Sequence, residues 1–246
     1  MAVKTEKKLT GRVPREAIRR MELPPFRANV LERFRALTDL TGCVSDAMDD
    51  LGLFAAIPAT VLRPNLAGKR LVGRAVTVRN SERSDTVSRA AADKAGGMGE
   101  HEAYNLAEPG DVVVIEGLTG VSNMGGQSAT LAHRSGCAGA VIDGSHRDPS
   151  ASIELGFPIW SRGITPITGK WRLRTVEING RVRIGGIAID AGDLVVADDA
   201  GIVFVPFAHI EAVLERAEHI TVGDNRQKSD IDKGVELSAI ARIHYK

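Results

Sequence analysis

Short apolar segments alternate with helical segments over residues 109–160, and this alternation constrains the fold more than any other feature of the chain. The predicted buried strands and helices are, in order, 112–115, 126–135, 138–143, 149–155 and 157–160. Strands separated by helices form β-α-β units, in which neighbouring strands run parallel. The chain is therefore predicted to be an α/β protein.

The pattern changes on both sides of this region. Upstream, the spacing of apolar residues predicts a helix over 27–39, a short helix at Val44–Met48 capped near Ser45, and a strand over 69–79. Downstream of Trp171, short strands joined by glycine turns are predicted at 173–178, 181–188, 193–198 and 202–205, followed by a helix over 207–221. We find no internal repeat, so the mixed sheet and its flanking helices are expected to form one domain.

The residues that carry chemistry surround the helix predicted at 126–135. They are Gly125, Gly126, Gln127 and Ser128 at its start, and the pair Arg147-Asp148 after the next strand. A helix start offers unpaired backbone N–H groups to an anion. An arginine can grip a carboxylate through two parallel hydrogen bonds, and an aspartate can hold a hard divalent cation. The combination suits a small 2-oxo acid better than a nucleotide or a peptide.

Each of these residues also has a structural interpretation. Arg147 could form a structural salt bridge, and Asp148 could cap the helix that begins at Pro149. Capping would likewise account for Gln127 and Ser128. His146 neighbours Arg147, but the alternation of a strand directs the two side chains to opposite faces.

Other polar residues are weaker candidates for the site. Glu100 and His101 follow a glycine-rich interruption at 96–99 and are predicted to form either a surface loop or a lid. Asp143 is expected to be a turn residue at the end of its strand. The pair Asp198-Asp199 fits a turn better than a metal site. The glycines at 96–99 lack the Lys-Ser/Thr that follows a phosphate loop.

Charge and composition exclude several classes of partner. Lys and Arg total 32 and Asp and Glu total 31, so the net charge is +1 and binding to nucleic acid is not expected. No apolar stretch approaches the ~18 residues of a membrane span. The chain begins without an apolar signal region, and a cytoplasmic location is expected. Cys43 and Cys137 lie outside any CxxC pair and are predicted to be reduced core residues.

The first 24 residues form a basic arm that ends at Pro24-Pro25. An arm of this kind could bind RNA, but a solvated arm, or one lying over a neighbouring subunit, is the simpler interpretation.

An ordered series of motifs resembles the RraA-like family. It consists of Val44-Ser45-Asp46-Ala47, Pro109-Gly110-Asp111-Val112, Asp143-Gly144, Arg147-Asp148, the run at 154–160 and the run at 192–201. The resemblance covers about residues 40–206. The family includes regulators of ribonuclease E activity and class II aldolases that act on 4-hydroxy-4-methyl-2-oxoglutarate or 4-carboxy-4-hydroxy-2-oxoadipate.

The resemblance implies roles for the candidate residues. The aldolase signature is a glycine, twenty residues, Arg-Asp, two residues and an acid, and Gly126 with Arg147-Asp148 matches its spacing. By this resemblance Arg147 binds the pyruvyl carboxylate and Asp148 binds Mg²⁺ or Mn²⁺, while the turn over 125–128 supplies amides to the substrate. The chain departs from the pattern at Ala151, where the final acid is expected, and at Gly126, where aldolases often carry an acid.

The function implied is that of a metal-dependent class II aldolase, a carbon-carbon lyase that cleaves a 4-hydroxy-2-oxo acid to pyruvate, with oxaloacetate decarboxylation as a side activity. No side chain is evident as the base for the C4 hydroxyl, so a water activated by the cation is expected to serve. The alternative is a non-enzymatic regulator that binds a ribonuclease E-like protein.

The resemblance also implies an architecture. It is the swivelling β/β/α fold of phosphohistidine domains, with a mixed sheet and flanking helices, assembled as a homotrimer or hexamer. The expected organisation is a basic arm over 1–24, the family domain over 25–221, and a charged C-terminal helix or tail over 222–246.

Overall fold

Eleven strands and eight α-helices are found in the computed structural model, which describes residues 7–245. The strands are β1 (Ala56–Pro58), β2 (Arg63–Pro64), β3 (Leu71–Glu82), β4 (Val112–Glu116), β5 (Gly139–His146), β6 (Ile159–Ile164), β7 (Leu173–Ile178), β8 (Val182–Ile184), β9 (Ile187–Ile189), β10 (Leu194–Asp198) and β11 (Gly201–Val205). The α-helices are α1 (Val30–Ala36), α2 (Leu40–Asp50), α3 (Val87–Ala92), α4 (His101–Leu106), α5 (Gly126–Arg134), α6 (Pro149–Glu154), α7 (Ile210–Asp232) and α8 (Leu237–Ile240). Residues 1–6 of the predicted arm and the last residue of the predicted tail lie outside the described range.

Nine of the described strands form one mixed sheet, in which the main path runs β1-β11-β10-β3-β4-β5-β6-β2. The contiguous strands β3, β4, β5 and β6 are parallel, as the alternation of strands and helices predicts. The strands on both sides of this block are antiparallel. The result is a nearly closed, barrel-like α/β sheet flanked by helices, so the predicted fold class is confirmed.

Strand β3 organises the sheet because it has different partners along its length. Its first half pairs with β10, and its second half pairs with β7, with a shift of register between Arg79 and Asn80. On its other edge β3 pairs with β4. The predicted strand ended at residue 79, and the longer strand observed includes polar residues that β7 covers.

Two hydrophobic clusters pack against the sheet. One contains Phe34, Met48 and Leu214 from α1, α2 and α7 together with residues of β10 and β11. The other contains Ala129 of α5 beneath β4 and β5. Helix α5 therefore packs on β4 and β5. Because it follows β4 in the chain, its start lies towards the carboxyl ends of these parallel strands, which is where ligands bind in open α/β sheets.

The described part of the N-terminal arm packs on its own chain. Val13 and Ile18 are 6% and 3% exposed and belong to the cluster beneath α5. Ile18 also forms a β-bridge with Ile178. The backbone N–H and hydroxyl of Thr10 donate to the buried carboxylate of Glu102 at 2.8 and 2.6 Å. The described residues of the arm therefore pack on their own chain and do not form a fully solvated arm, while a contact with a neighbouring subunit stays a prediction.

Three predicted boundaries differ from the structure. The helix expected at Val44–Met48 begins at Leu40, and no side chain caps it in the described structure. The segment 181–188 forms two short strands that turn at Gly185-Gly186. The helix expected to end at residue 221 continues without a break to Asp232, so the first part of the predicted C-terminal helix or tail is an extension of α7.

Cys43 and Cys137 are free and buried, as predicted. Within residues 7–245, no helix combines the length and the apolar character needed to cross a membrane.

Candidate functional site

A cavity of about 290 Å³ lies between the start of α5, the end of β5 and the N-terminal arm. Four of the predicted site residues line it: Gly125, Gln127, Ser128 and Arg147. Gly126 and Asp148 adjoin them, because the Gly126 N–H donates to Asp148 Oδ2 at 3.0 Å. The structure therefore brings together all six residues selected from the sequence.

The glycines at 125 and 126 allow the helix to begin directly against the Arg-Asp pair. A β-carbon at Gly125 would lie 2.9 Å from Arg147 Nε and 3.2 Å from Asp148 Oδ2. A β-carbon at Gly126 would lie 2.9 Å from the side chain of Ala151. Distances this short would force the neighbouring side chains to move, so a larger residue at position 125 would displace Arg147 and one at position 126 would press on Ala151.

The two departures from the aldolase pattern, Gly126 and Ala151, lie next to each other in the structure. Gly126 and Ala151 face each other, and the small size of each leaves room for the other. The structure thus contains no carboxylate at either of the two positions where the family pattern has an acid.

Asp148 is held in an unusual backbone conformation. Its φ of 56° and ψ of 51° place a non-glycine residue in the left-handed region. It precedes α6 as the N-cap residue, but its side chain makes no capping hydrogen bond with the described chain. The interpretation that Asp148 only caps the helix is therefore wrong, since its carboxylate turns towards Gly126.

Arg147 directly follows β5 and presents its side chain to the cavity. Its backbone N–H donates to the carbonyl of Met124 at 3.0 Å, which joins the end of β5 to the turn before α5. Its Nε lies 3.4 Å from Asp148 Oδ2, and the side chain is 40% exposed. No described residue accepts a hydrogen bond from its two terminal nitrogens, so these remain available to a carboxylate ligand.

Gln127 and Ser128 point in different directions although both begin α5. Their amide N–H groups have no acceptor within the helix, because the helix begins only at Gly126. The side chain of Gln127 is exposed, whereas Ser128 is buried and donates from Oγ to Glu100 Oε1 at 2.9 Å. Ser128 therefore anchors Glu100 instead of capping the helix.

Asp148 is the residue predicted to bind a divalent cation, so its surroundings decide whether a cation fits. Among residues 7–245, no group of three or more His, Cys, Asp or Glu side chains could hold a metal ion. Asp148 is half-exposed, and one of its oxygens is engaged by Gly126 and lies near Arg147. The other oxygen accepts no hydrogen bond from a described residue. One carboxylate oxygen with open solvent beside it fits Mg²⁺, which retains most of its water ligands.

Sequence reasoning missed two cationic residues of the cavity wall, Arg12 and Lys170. Both side chains are exposed, and neither forms an ion pair with a described residue. They lie far apart in sequence and in segments without a motif, so no local pattern could have identified them. Together with Arg147 they make the cavity rich in positive charge.

Two weaker sequence candidates, Glu100 and His101, line the cavity at the start of α4, and Glu100 is buried, so the expectation of a surface loop is wrong for it. The remaining sequence candidates have structural roles. Asp143 accepts hydrogen bonds from Arg162 and from the amide of Gly185. His146 is buried on the opposite face from Arg147, as predicted, and its Nδ1 lies 2.9 Å from Ser161 Oγ. Burial lowers the pKa of His146, so its ring is neutral at pH 7.

The acidic pair at 198–199 is also structural. Asp198 accepts from the hydroxyl of Thr41 at 2.7 Å, and Asp199 accepts from the amide of Gly68 at 2.9 Å. Both carboxylates therefore stabilise loops at a distance from the cavity.

Residues 41–204 match the model of the RraA-like family, described as Aldolase/RraA. A protein of Halalkalibacterium halodurans, provisionally named 4-hydroxy-4-methyl-2-oxoglutarate aldolase, is 31% identical over 83% of this chain and 90% of its own length. A crystal structure of an uncharacterised protein from Pseudomonas syringae pv. tomato is 28% identical with a TM-score of 0.75, covering 89% of this chain and 96% of the other.

A third relative has a different description. The structure of Streptomyces coelicolor RraAS2, called an unusual member of the RNase ES inhibitor RraA protein family, has a TM-score of 0.66 and 26% identity, covering 86% of this chain and 98% of the other. The relatives of this chain thus include proteins named as aldolases and proteins named as inhibitors.

Proposed function

Because the chain belongs to the RraA-like family, we propose that it is a lyase that cleaves a 4-hydroxy-2-oxo acid and releases pyruvate. The convergence of Arg147, Asp148 and the start of α5 on one cavity carries this proposal. These groups supply a carboxylate-binding cation, a cation-binding carboxylate and backbone N–H donors. A 2-oxo acid presents the two oxygen-bearing groups that such a set can hold.

Arg147 positions the pyruvyl end of the substrate. Its terminal nitrogens face the cavity without a described partner, and a guanidinium binds a carboxylate in a fixed, planar geometry. The backbone N–H groups of Gln127 and Ser128 point the same way and favour negative charge at the start of the helix. The contact at the helix start gains strength as negative charge develops on the substrate and so stabilises the transition state, whereas Arg147 holds a carboxylate whose charge does not change and so binds substrate and transition state alike.

Asp148 would hold the divalent cation, Mg²⁺ or Mn²⁺, that defines a class II aldolase. When bound, such a cation acts as a Lewis acid towards the keto group of the substrate. The hydrogen bond from Gly126 fixes the orientation of the carboxylate, and its left-handed backbone directs it towards the turn. Asp148 and Arg147 are thereby held side by side for a ligand that needs both.

Arg12 and Lys170 extend the binding surface beyond the pyruvyl end, and we propose that they select a substrate with a second carboxylate. Replacing Arg12 with glutamine should raise the KM for oxaloacetate about fivefold, since an exposed charge contact is worth ~1 kcal/mol. Inhibition by pyruvate, which has one carboxylate, should not change. Lys8→Gln, on the same exposed arm, is the matched control. An unchanged KM for both Arg12→Gln and Lys170→Gln would show that the second carboxylate lies elsewhere.

Pyruvate release from oxaloacetate tests the pyruvyl-binding part of the proposed function, because decarboxylation requires only that part of the site. We expect turnover with Mg²⁺ or Mn²⁺, loss of turnover with excess EDTA, and recovery when the cation is restored. A panel of 4-hydroxy-2-oxo acids then identifies the aldol substrate. Equal rates with and without protein would exclude the lyase and favour a regulator that binds a ribonuclease E-like protein, in line with the name of the Streptomyces relative.

The proposed assembly is a homotrimer or a hexamer, in which a neighbouring subunit can complete the open cavity. Light scattering coupled to size-exclusion chromatography measures the assembly, and a monomeric mass would contradict this part of the proposal.

A further inference from the structure

Glu100 places a buried carboxylate in the wall of the candidate site. The residue is 3% exposed and lines the same cavity as Gly125 and Arg147. Its Oε1 accepts a hydrogen bond from Ser128 Oγ at 2.9 Å. Its Oε2 is buried and has no hydrogen-bond partner in the described structure. One carboxylate oxygen is thus anchored, and the other is free.

A short chain of hydroxyl groups holds the anchored oxygen. Because Ser128 has a single hydroxyl proton and donates it to Glu100, the Tyr104 hydroxyl, 2.9 Å away, must donate to Ser128. Burial, reinforced by the charge of Glu100, raises the pKa of Tyr104 well above its usual range. The phenol therefore keeps its proton, and the chain of donors runs in one direction, towards Glu100.

A second buried glutamate nearby shows what a structural carboxylate looks like in this protein. Glu102 is completely buried, and it accepts hydrogen bonds from the backbone and hydroxyl of Thr10 and from the side chain of Asn105. Both of its oxygens are engaged. Glu100, two residues away, has no comparable set of donors.

No structural role compensates for the burial of Glu100. It is the N-cap residue of α4, but its side chain makes no capping hydrogen bond there. It forms no ion pair within residues 7–245, although Arg147, Lys170 and Arg12 line the same cavity. Burying a carboxylate without full hydrogen bonding is costly, and such groups concentrate at functional sites.

We propose that Glu100 is the general base of carbon-carbon bond cleavage, an inference that rests on the proposed lyase function. Its free Oε2 accepts the proton of the C4 hydroxyl. The electrons of the O–H bond form the new carbonyl, and those of the C3–C4 bond pass to the pyruvyl fragment as its enolate. The enolate takes a proton from water at C3, and Glu100 releases its proton to water, so the reaction needs no further reactant.

If Glu100 is the base, aldol cleavage and oxaloacetate decarboxylation should depend on it differently, although both occur at the same site. Aldol cleavage needs a base for the C4 hydroxyl, whereas oxaloacetate has no such hydroxyl and loses CO₂ without one. Both reactions need the pyruvyl end to be bound. Removing the base should therefore affect cleavage and leave decarboxylation in place.

The experiment compares wild type, Glu100→Gln and Glu100→Asp with both substrates, 4-hydroxy-4-methyl-2-oxoglutarate and oxaloacetate. Glutamine keeps the acceptor for Ser128 but cannot take a proton. We expect Glu100→Gln to lower kcat for cleavage by ~10²–10⁴, the usual contribution of a general base, and to change decarboxylation less than twofold. Glu100→Asp should recover part of the cleavage rate. Oxalate affinity, measured by calorimetry, should stay unchanged in both variants, and Glu154→Gln, an exposed glutamate of α6, should match wild type.

The opposite outcomes identify which proposal fails. Equal loss of both reactions in Glu100→Gln, or no loss of either, would overturn the assignment of Glu100 while the lyase stands. His101 is the titratable residue next to Glu100 in the cavity wall. If His101→Gln lowers cleavage but not decarboxylation, and Glu100→Gln does not, the assignment of Glu100 is also overturned. Wild type that decarboxylates oxaloacetate but cleaves none of a panel of 4-hydroxy-2-oxo acids likewise overturns the assignment. Wild type without either activity overturns the lyase function and this inference together.

Discussion

Replacing Asp148 with asparagine is expected to lower kcat/KM for metal-dependent pyruvate release at least 100-fold. The substitution removes the negative charge that would hold the cation, and a catalytic cation contributes several kcal/mol to transition-state stabilisation. Asparagine tolerates the left-handed backbone observed at this position. Its side-chain oxygen can still accept the hydrogen bond from Gly126. The fold should therefore survive while the chemistry is lost.

The measurement pairs turnover with direct binding of Mn²⁺, followed by electron paramagnetic resonance. Wild type should retain Mn²⁺, and Asp148→Asn should retain much less at the same concentration. Asp49→Asn, an exposed aspartate on α2 without a side-chain contact in the described structure, is the matched control for turnover and melting temperature. Full Mn²⁺ binding by Asp148→Asn would place the cation at another residue.

Replacing Arg147 with glutamine is expected to raise the KM for oxaloacetate about 30-fold. Removing one partner of a hydrogen-bonded charge pair weakens the free energy of binding by about 2–5 kcal/mol. The lower end of that range applies here because Arg147 is 40% exposed. Arg147→Lys should recover only part of the loss, because lysine keeps the charge but not the planar pair of donors.

Oxalate affinity in the presence of Mg²⁺ provides the binding measurement for these variants. It should fall in the order wild type, Arg147→Lys, Arg147→Gln. Arg134→Gln, an exposed arginine at the end of α5, removes the same charge outside the cavity and should bind oxalate normally. If both glutamine variants lose affinity equally, general electrostatics and not a direct contact explains the effect.

The central part of the fold was predictable because its signals are local. The strand β4, the helix α5 and the strand β5 appear in the sequence as apolar runs and helical spacing, with turns of small residues between them. The site around Arg147 and Asp148 was predictable for the same reason. Consecutive elements of a β-α-β unit bring the start of the helix and the end of the next strand to one edge of the sheet.

Residues that reach the cavity through tertiary packing were predicted poorly, since Glu100 was only a weak candidate in a surface loop or lid and Arg12 was not a candidate. Glu100 is followed by an amphipathic segment, and only the burial of α4 against α5 turns its side chain towards Ser128. Arg12 reaches the cavity because Val13 and Ile18 bury the arm against the sheet, and two isolated apolar residues carry no periodic signal. These contacts depend on a fold that the local pattern does not encode.

Local sequence patterns also failed to predict where some strands and helices end. Strand β3 continues through Asn80 because β7 supplies partners for its polar end. Helix α7 continues past residue 221 without a break, whereas the sequence predicted a separate charged helix or tail from residue 222. The end of β3 is stabilised by hydrogen bonds to β7, and the end of α7 by the hydrogen bonds of an uninterrupted helix. Composition alone does not reveal where such hydrogen bonds stop.

The backbone at Asp148 also decides which substitutions the turn tolerates. Glycine occupies the left-handed region without the steric cost that a β-carbon imposes, which is ~1 kcal/mol. A glycine at position 148 would therefore keep the turn before α6 while removing the carboxylate that accepts from Gly126, so the geometry of this turn and the chemistry of its side chain can be changed independently.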